Sequence, residues 1–183
     1  MIHKSITGMA AAAGLLLAGY LAIPPVSKAA VATDSERVSK LLSEAKTMSF
    51  ELKEDAVAME GFTRMNVSWE SHADAIHLIK EHINALERQT TKLKEAKSEG
   101  SPWQQTAIDR ITPFLDELSG YTYAVIEHLN GEKKHTPADY KDYLQANADY
   151  ATDLAAMISD FVNFGKTKDR LQALGAKLEI PKR

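Results

Sequence analysis

Two histidines have the side-chain chemistry, and the predicted positions, to support a metal or haem site. His72 and His128 are expected within two helical turns of the same end of a helical protein. Imidazole nitrogens bind transition metals and serve as axial ligands of haem iron, and Met65, Glu127 or His135 could complete such a site. The alternative, which we favour, is a packed His72 whose polar atoms are satisfied by tyrosine or glutamate.

Asp74 and His77 are three residues apart, the spacing of the Glu-x-x-His pairs in di-iron helical bundles. Such a bundle needs this pair from two helices and carboxylates from the other two. The predicted helices offer one such pair, and Asp74 lies off the apolar positions of its helix. We therefore expect both residues on a solvated face. The sequence also lacks a nucleophile triad, a phosphate-binding glycine loop and a metalloprotease motif, so we predict no enzymatic activity.

Three polar residues close to apolar positions raise a further possibility. Asp55, Thr122 and Asn147 could form a buried network that fixes how the helices align. Adjacent alanines such as Ala146 and Ala148 are able to take the inner positions instead. The interpretation that follows from the sequence is that these polar residues lie at helix edges.

The element that positions His72 is a helix predicted over residues 69–97. Its inward positions recur every three or four residues: Trp69, His72, Ile76, Ile79, Ile83, Leu86, Thr90 and Leu93. Ser68 is the expected N-cap, and Gly100 follows the end of the helix. This periodicity is typical of a helix that packs against partner helices in a coiled-coil manner.

Similar periodicity predicts three more helices. The first runs from residue 33 to about 66, with inward positions Val38, Leu41, Ala45, Met48, Leu52, Asp55 or Ala56, Met59 and Phe62. Leu42 and Val57 widen this apolar stripe. The second of them covers residues 102–130, and Pro113 is expected to kink or break it. Its inward positions are Ile108, Ile111, Leu115, Leu118, Thr122, Val125 and Leu129.

The last long helix begins at Thr136-Pro137 and is expected to end or break at Gly165. Its inward positions are Tyr140, Tyr143, Asn147, Tyr150, Leu154, Met157, Phe161 and Phe164. A short basic helix over residues 166–178 should follow. No segment alternates with period two, so strands are not expected. The predicted fold class is all-α, an up-down-up-down antiparallel four-helix bundle with a short C-terminal helix.

Residues 1–32 have the pattern of a secretory signal peptide. A basic start, an apolar middle and an Ala-x-Ala cleavage region predict cleavage before Thr33, with a second site after Ala29. An uncleaved transmembrane anchor is the alternative. After cleavage, residues 33–183 form a single helical-bundle domain, exported to the periplasm or secreted, without stable membrane insertion.

Charge and cysteine content narrow the possible functions. Residues 33–183 carry 20 basic and 25 acidic residues, a net charge of −5 that argues against nucleic acid as a partner. The chain has no cysteine, which excludes disulfides and a covalently attached c-type haem. The protein must therefore be held together by its core.

Six short motifs extend along the chain: SWESH at 68–72, IKEH at 79–82, PWQQTAI at 102–108, YKDY at 140–143, ISDFV at 158–162 and GKTK at 165–168. Together they resemble an uncharacterised family of bacterial exported helical proteins. The resemblance covers nearly all of the mature chain and implies export and an all-helical fold, but no activity.

Two better-understood kinds of bundle share single features with this chain. The spacing from Trp69 to His77 resembles the signature on the second helix of DinB-like metal-binding bundles, in which the corresponding histidine is a metal ligand. The further histidine ligands of their last helix have no counterpart between Tyr140 and Gly165. Soluble b-type cytochromes hold haem between one methionine and one histidine, and this composition offers both.

The sequence therefore predicts an exported, non-enzymatic bundle that acts as a binding or interaction protein of the cell envelope. Its partner is expected to be a protein or a small molecule whose identity the sequence does not specify, and no cofactor is expected. The alternative is a transition-metal- or haem-binding bundle that uses the end containing His72 and His128.

Overall fold

The computed structural model describes residues 33–65, 67–132 and 138–179, and almost all of them are helical. The elements are α1 (Glu36–Gly61), α2 (Trp69–Glu95), α3 (Pro102–Glu132) and α4 (Ala138–Lys177), with 3₁₀ turns at Phe62–Arg64 and Lys97–Glu99. These ranges contain no strand, so the predicted all-α class is confirmed. The predicted signal peptide, His135 and the predicted helix start at Thr136-Pro137 lie outside the described residues.

Serine side chains cap the first two helices. The Oγ atom of Ser35 accepts a hydrogen bond from the backbone N–H of Val38 at 3.3 Å, and α1 begins at the next residue. Ser68 Oγ accepts from the N–H of Ser71 at 3.3 Å, as predicted for the start of α2. Each cap satisfies a backbone donor that the first turn of a helix leaves without an intrahelical partner.

Each helix packs mainly against two others. The principal contacts join α1 with α2, α2 with α3, α3 with α4, and α4 with α1. The predicted inward positions of α3 are all buried, and so are those of α2 apart from the half-buried Trp69. Most aliphatic residues of these two helices fall on one stripe, so their periodicity identifies the core face.

In α1 the predicted inward residues Val38, Ala45, Leu52 and Met59 are buried, and so is Leu42, which was expected to widen the stripe. Leu41 and Met48 are only partly buried, and Ser49 is buried beside Met48. The core face of α4 agrees with the prediction at Tyr140, Asn147 and Leu154 and differs from it by about one residue elsewhere. The buried residues of α4 are Tyr140, Leu144, Asn147, Ala148, Ala151, Leu154, Ala155, Ile158, Val162 and Gly165. In both helices two adjacent stripes are apolar. The smaller side chains of α4 face the core, where neighbouring backbones approach, and its larger aromatic side chains other than Tyr140 lie at the edges.

The prediction that the last helix ends at Gly165, followed by a separate short helix, was wrong. One continuous α4 runs through Gly165 to Lys177. A glycine inside a helix costs only about 1 kcal/mol relative to alanine. Here it also makes room for Trp103, because a Cβ atom at position 165 would lie 2.8 Å from Cη2 of that indole.

Pro113 does not break α3, so the alternative of a new helix capped by Thr112 was wrong. The Thr112 hydroxyl instead donates to the carbonyl of Ile108 at 3.3 Å, inside the same helix. Pro113 is exposed, so the carbonyl group that loses its partner can be hydrated. A kink at this proline stays a prediction.

Candidate functional site

The two predicted histidines lie in one aromatic cluster, which we call the His72 cluster: Phe62, His72, His128 and Tyr140. His72 and Tyr140 are completely buried. The Nδ1 atom of His72 is 2.9 Å from the Tyr140 hydroxyl. The ring of His128 stacks on that of Tyr140 at 5.1 Å between centroids, and Phe62 meets His72 edge-on at 5.4 Å.

The cluster is assembled from four different elements. Phe62 follows α1, His72 is in the first turn of α2, His128 is near the end of α3, and Tyr140 is in the first turn of α4. Burial raises the pKa of Tyr140, so its hydroxyl stays protonated and can donate to an unprotonated Nδ1 of His72. A hydrogen bond of this kind between two buried groups links α2 to α4 across the core.

The other ligands proposed for a metal at this end are directed elsewhere. Met65 is 64% exposed, and Glu127 accepts a hydrogen bond from the Tyr123 hydroxyl at 2.8 Å on the surface. Within residues 33–65, 67–132 and 138–179, no three or more histidine and carboxylate side chains are grouped so that they could hold a metal ion. The structure thus places both His72 and His128 against Tyr140. The described residues do not add a third histidine or carboxylate that could complete a metal site with them.

Asp74 and His77 are both exposed, as expected for a solvated face of α2. Neither residue is directed toward the core that the four helices share. Their spacing therefore does not contribute an inward carboxylate–imidazole pair to the described part of the chain.

Thr122 and Asn147 lie inward, as the periodicity of α3 and α4 predicted, so the edge placement favoured for them as polar residues was wrong. Thr122 is 3% exposed and Asn147 is 1% exposed, and the threonine hydroxyl donates to Asn147 Oδ1 at 2.6 Å. Asn147 Nδ2 donates to the Tyr143 carbonyl at 3.2 Å. Because Thr122 and Asn147 satisfy each other, they can occupy inward positions that the sequence alone assigned to alanines. Asp55 is only partly exposed, and its Oδ2 lies 2.9 Å from His82 Nδ1.

A second polar cluster, which the sequence did not predict, lies where α1 and α3 begin. We call it the Asp34 cluster: Asp34, Ser35, Ser101, Trp103, Gln104 and Lys168. Gln104 is completely buried, and its Oε1 accepts from the backbone N–H groups of Ser35 and Ser101, both at 2.9 Å. Its Nε2 donates to the Ser35 carbonyl and to Ser39 Oγ, also at 2.9 Å. All four hydrogen-bonding positions of this amide are therefore used.

Gln104 joins the starts of two helices that are far apart in sequence. Its bond to the N–H of Ser101, three residues earlier, is one half of a capping box, and Ser101-x-x-Gln104 is the sequence signal that could have revealed it. The bonds to Ser35 cross to α1 and have no local sequence signal. The same side chain thus completes one helix cap and ties it to a second.

Asp34 forms the other half of this cluster. Its Oδ1 accepts from Trp103 Nε1 at 2.9 Å and from Lys168 Nζ at 2.6 Å. Burial alone would raise the pKa of Asp34, but the polar groups of Lys168, Ser101 and Trp103 outweigh it, so that pKa is lowered. Asp34 is therefore a carboxylate that holds α3 and α4 against the start of α1.

The C-terminal segment of α4 has the opposite character. We use this name for residues 169–177 of α4 together with Leu178 and Glu179, which follow it. Apart from the half-buried Gly175, every residue of the segment is exposed. Leu171 is 64% exposed, Leu174 45% and Leu178 64%, and Phe164, two turns before Leu171, is 53% exposed. Leucines at spacings of three and four on an exposed helix form an apolar stripe available to a partner.

A shallow groove lies on the surface beside Pro113. It has a volume of about 420 Å³ and is bordered by Lys94, Lys97, Asp109 and Asp116. Lys97 Nζ and Asp109 Oδ1 are 2.6 Å apart, so an ion pair occupies part of this border. The balanced charges and open shape give this groove little capacity to select a ligand.

Comparison with protein-family models, with curated proteins and with solved structures found no match to this chain. None of the helices in its described residues is both long enough and apolar enough to span a bilayer. The two clusters hold helices together, whereas the C-terminal segment of α4 presents apolar side chains to the outside.

Proposed function

We propose that this chain is an exported, non-enzymatic binding protein of the cell envelope whose contact surface is the C-terminal segment of α4. The observation that carries the proposal is the exposure along one stripe of Leu171 and Leu174 in α4 and of Leu178 directly after it. Single exposed leucines are common on soluble proteins, but an aligned set on a helix indicates an interaction surface. Export rests on the signal-peptide pattern of residues 1–32.

We further propose an up-down-up-down antiparallel arrangement of the four helices. Two groups of contacts support it. The His72 cluster contains the end of α1, the start of α2, the end of α3 and the start of α4. The Asp34 cluster contains the starts of α1 and α3 and a late part of α4, and Arg37 pairs with Glu99 beyond α2 at 2.6 Å. Alternating helix directions would bring these particular ends together.

In this arrangement the two polar clusters close opposite ends of the bundle. Two of their buried side chains bond to other parts of the fold: Gln104 bonds to Ser35, Ser39 and Ser101, and His72 Nδ1 bonds to Tyr140. Such networks specify one packing of the helices, because leaving a buried polar group unsatisfied is costly. This use of the interior supports a role that depends on the surface.

Site-specific cross-linking tests the proposed surface. The chain has no cysteine, so Leu174→Cys creates a single attachment site for a photoactivated cross-linker. Ala156→Cys is the matched control, since Ala156 is exposed on the same helix but lies in the part of α4 that packs against the other helices. The labelled proteins are irradiated in the envelope of the producing cell. We expect adducts to protein or lipid from position 174 only; equal labelling from both positions, or none, would contradict the proposed surface.

Intact mass tests the proposed export. The extracytoplasmic fraction should contain a chain that begins at Thr33. A chain that retains residues 1–32 and stays in the membrane fraction would instead support the anchor alternative. This measurement does not depend on which surface the protein uses.

One observation favours the alternative metal- or haem-binding function: the structure places His72 and His128 around the same tyrosine. A ligand that binds only the folded protein raises stability, by about 2.7 kcal/mol at a hundredfold excess over its dissociation constant. Zinc, copper and haem should therefore be added separately while the melting temperature is followed. A rise that disappears in both His72→Leu and His128→Leu would favour this alternative over the surface-binding proposal.

A further inference from the structure

The charges of this protein are distributed unevenly along the chain. Residues 33–165 carry 14 basic and 23 acidic residues, a net charge of −9. Residues 166–183 carry six basic and two acidic residues, a net charge of +4. The exposed C-terminal segment of α4 is thus part of a basic region on an otherwise acidic protein, and such a region attracts anionic surfaces.

The basic side chains lie beside the exposed leucines. With about 100° of rotation per residue, Phe164, Leu171, Leu174 and Leu178 fall within an arc of about 80°. Lys166, Arg170 and Lys177 fall within an adjacent arc of about 40°, and all three are exposed. Lys168 is on the other side and is already paired with Asp34. An apolar stripe flanked by basic residues is the pattern of a helix that lies in the interface of a membrane.

We propose that the C-terminal segment of α4 binds the surface of anionic phospholipid membranes, with its helix axis in the plane of the interface. The leucines would enter the boundary between headgroups and acyl chains, and Lys166, Arg170 and Lys177 would contact lipid phosphates. This inference rests on the proposed function and names the partner of the same surface. The protein is held on the membrane peripherally and does not cross it.

Charge complementarity selects this occupant over a second copy of the chain. If two copies of the segment paired antiparallel through their leucines, Arg170 and Lys177 of one copy would lie against Arg170 and Lys177 of the other. Like charges at these flanking positions oppose pairing of the helices. An anionic lipid surface instead satisfies the basic flank and the apolar stripe together. Each basic residue near such a surface strengthens binding by about fivefold at low salt.

Vesicle co-sedimentation tests the inference. The purified protein is mixed with vesicles of phosphatidylglycerol and phosphatidylcholine in equal parts, or of phosphatidylcholine alone. We expect at least tenfold tighter binding to the anionic vesicles, and severalfold weaker binding when the salt concentration is raised to about 0.5 M. Equal binding to both vesicle types, or binding to neither, would overturn the proposal.

Two sets of substitutions locate the binding to the segment. The triple variant Leu171→Gln, Leu174→Gln, Leu178→Gln should lose at least tenfold in affinity, whereas Leu78→Gln, at a 53% exposed leucine of α2, should not. Lys166→Gln with Arg170→Gln and Lys177→Gln should also weaken binding at least tenfold. The control is Lys80→Gln with Arg88→Gln and Lys141→Gln, three exposed basic residues elsewhere, which should bind as before. Circular dichroism checks that each variant remains helical. Unchanged binding by either segment variant would overturn the proposal.

The outcomes separate this inference from the proposed function. Protein adducts from Leu174→Cys without vesicle binding would leave the contact surface in place and refute lipid as its partner. A concentration-dependent dimer in solution that the triple leucine variant abolishes, again without vesicle binding, would identify a second copy as the occupant. Absence of both adducts and vesicle binding would overturn the proposed function and this inference together.

Discussion

The two parts of α4 share one continuous backbone but differ in what their apolar side chains contact. Between Tyr140 and Gly165, every turn or so places a residue in the core that α4 shares with α1 and α3. After Lys168, which pairs with Asp34, the leucines are exposed. The first part of α4 therefore stabilises the fold, whereas the exposed leucines of the second part are available to a partner. Variants of the first part and its contacts should therefore change stability, and variants of the second should change binding.

The largest effect is expected from the buried amide that anchors the helix ends beside α4. Gln104→Leu leaves the backbone N–H groups of Ser35 and Ser101 without their acceptor, and each buried unsatisfied group costs about 1 to 3 kcal/mol. We expect the free energy of unfolding to fall by at least about 2 kcal/mol, measured by urea denaturation. Gln145→Leu, at an exposed glutamine of α4, is the control and should change stability by less than about 0.5 kcal/mol. Similar losses for both would contradict the role given to Gln104.

Replacing glycine by alanine should change the free energy of unfolding in opposite directions at two positions, Gly165 and Gly120. Gly165→Ala places a methyl group against Trp103, whose indole is held by Asp34 and by contact with Phe164. Overpacking of this kind costs about 1 to 3 kcal/mol. In Gly120→Ala the new methyl group meets nothing within 4 Å, so the better helix propensity should stabilise α3 by about 0.5 to 1 kcal/mol.

Thermal unfolding of both glycine variants provides the measurement. If Gly165→Ala raised the stability, Trp103 would have to move easily away from the new methyl group. The close approach of α3 and α4 would then not require glycine at position 165. Gly165→Ala combined with Trp103→Phe should recover part of the loss, because the smaller ring leaves space for the methyl group.

At the start of α4, the bond between Tyr140 and His72 should be measurable by a double-mutant cycle. His72→Leu leaves the buried tyrosine hydroxyl without its acceptor and should cost about 1 to 2 kcal/mol. The double variant His72→Leu with Tyr140→Phe should be more stable than the sum of the single effects, by about 1 kcal/mol. Strictly additive losses would indicate that the two side chains are packed but not coupled.

A smaller, pH-dependent effect is expected where Lys168 meets Asp34. The pKa of Asp34 in the folded protein is lowered from its ordinary value of 3.8, so the carboxylate contributes stability above about pH 4 and loses it below. Asp34→Asn should cost on the order of 1 kcal/mol at pH 6. The difference between the two proteins should shrink as the pH falls below 3.8. A difference that is constant from pH 6 to pH 2.5 in chemical denaturation would contradict the ionic role of Asp34.

How far the sequence predicts this structure depends on how clearly each helix separates its faces. The core faces of α2 and α3 could be predicted, because most of their aliphatic residues fall on one stripe of each helix. In α4, one stripe of alanines and aliphatic residues lies beside another of tyrosine and phenylalanine. Periodicity alone cannot rank these stripes, because the choice depends on how closely α1 and α3 approach.

The polar contacts were harder to predict than the core. The position of His72 at an inward site of α2 followed from its spacing, and so did its nearness to Tyr140 and His128. The Asp34 cluster did not, because Lys168 and Asp34 are separated by 134 residues and no local pattern joins them. Only the capping box of Ser101 and Gln104 left a sequence signal.

The most direct test of the account is the free energy of unfolding of the triple variant Leu171→Gln, Leu174→Gln, Leu178→Gln, measured in urea beside Leu154→Ala. Leu154 is completely buried in the first part of α4, and its truncation should cost about 2 to 5 kcal/mol. The three exposed leucines together should cost less than about 0.5 kcal/mol, since glutamine is nearly as good a helix former as leucine. A loss in the triple variant as large as that of Leu154→Ala would contradict the account, because it would show that the C-terminal segment of α4 stabilises the fold.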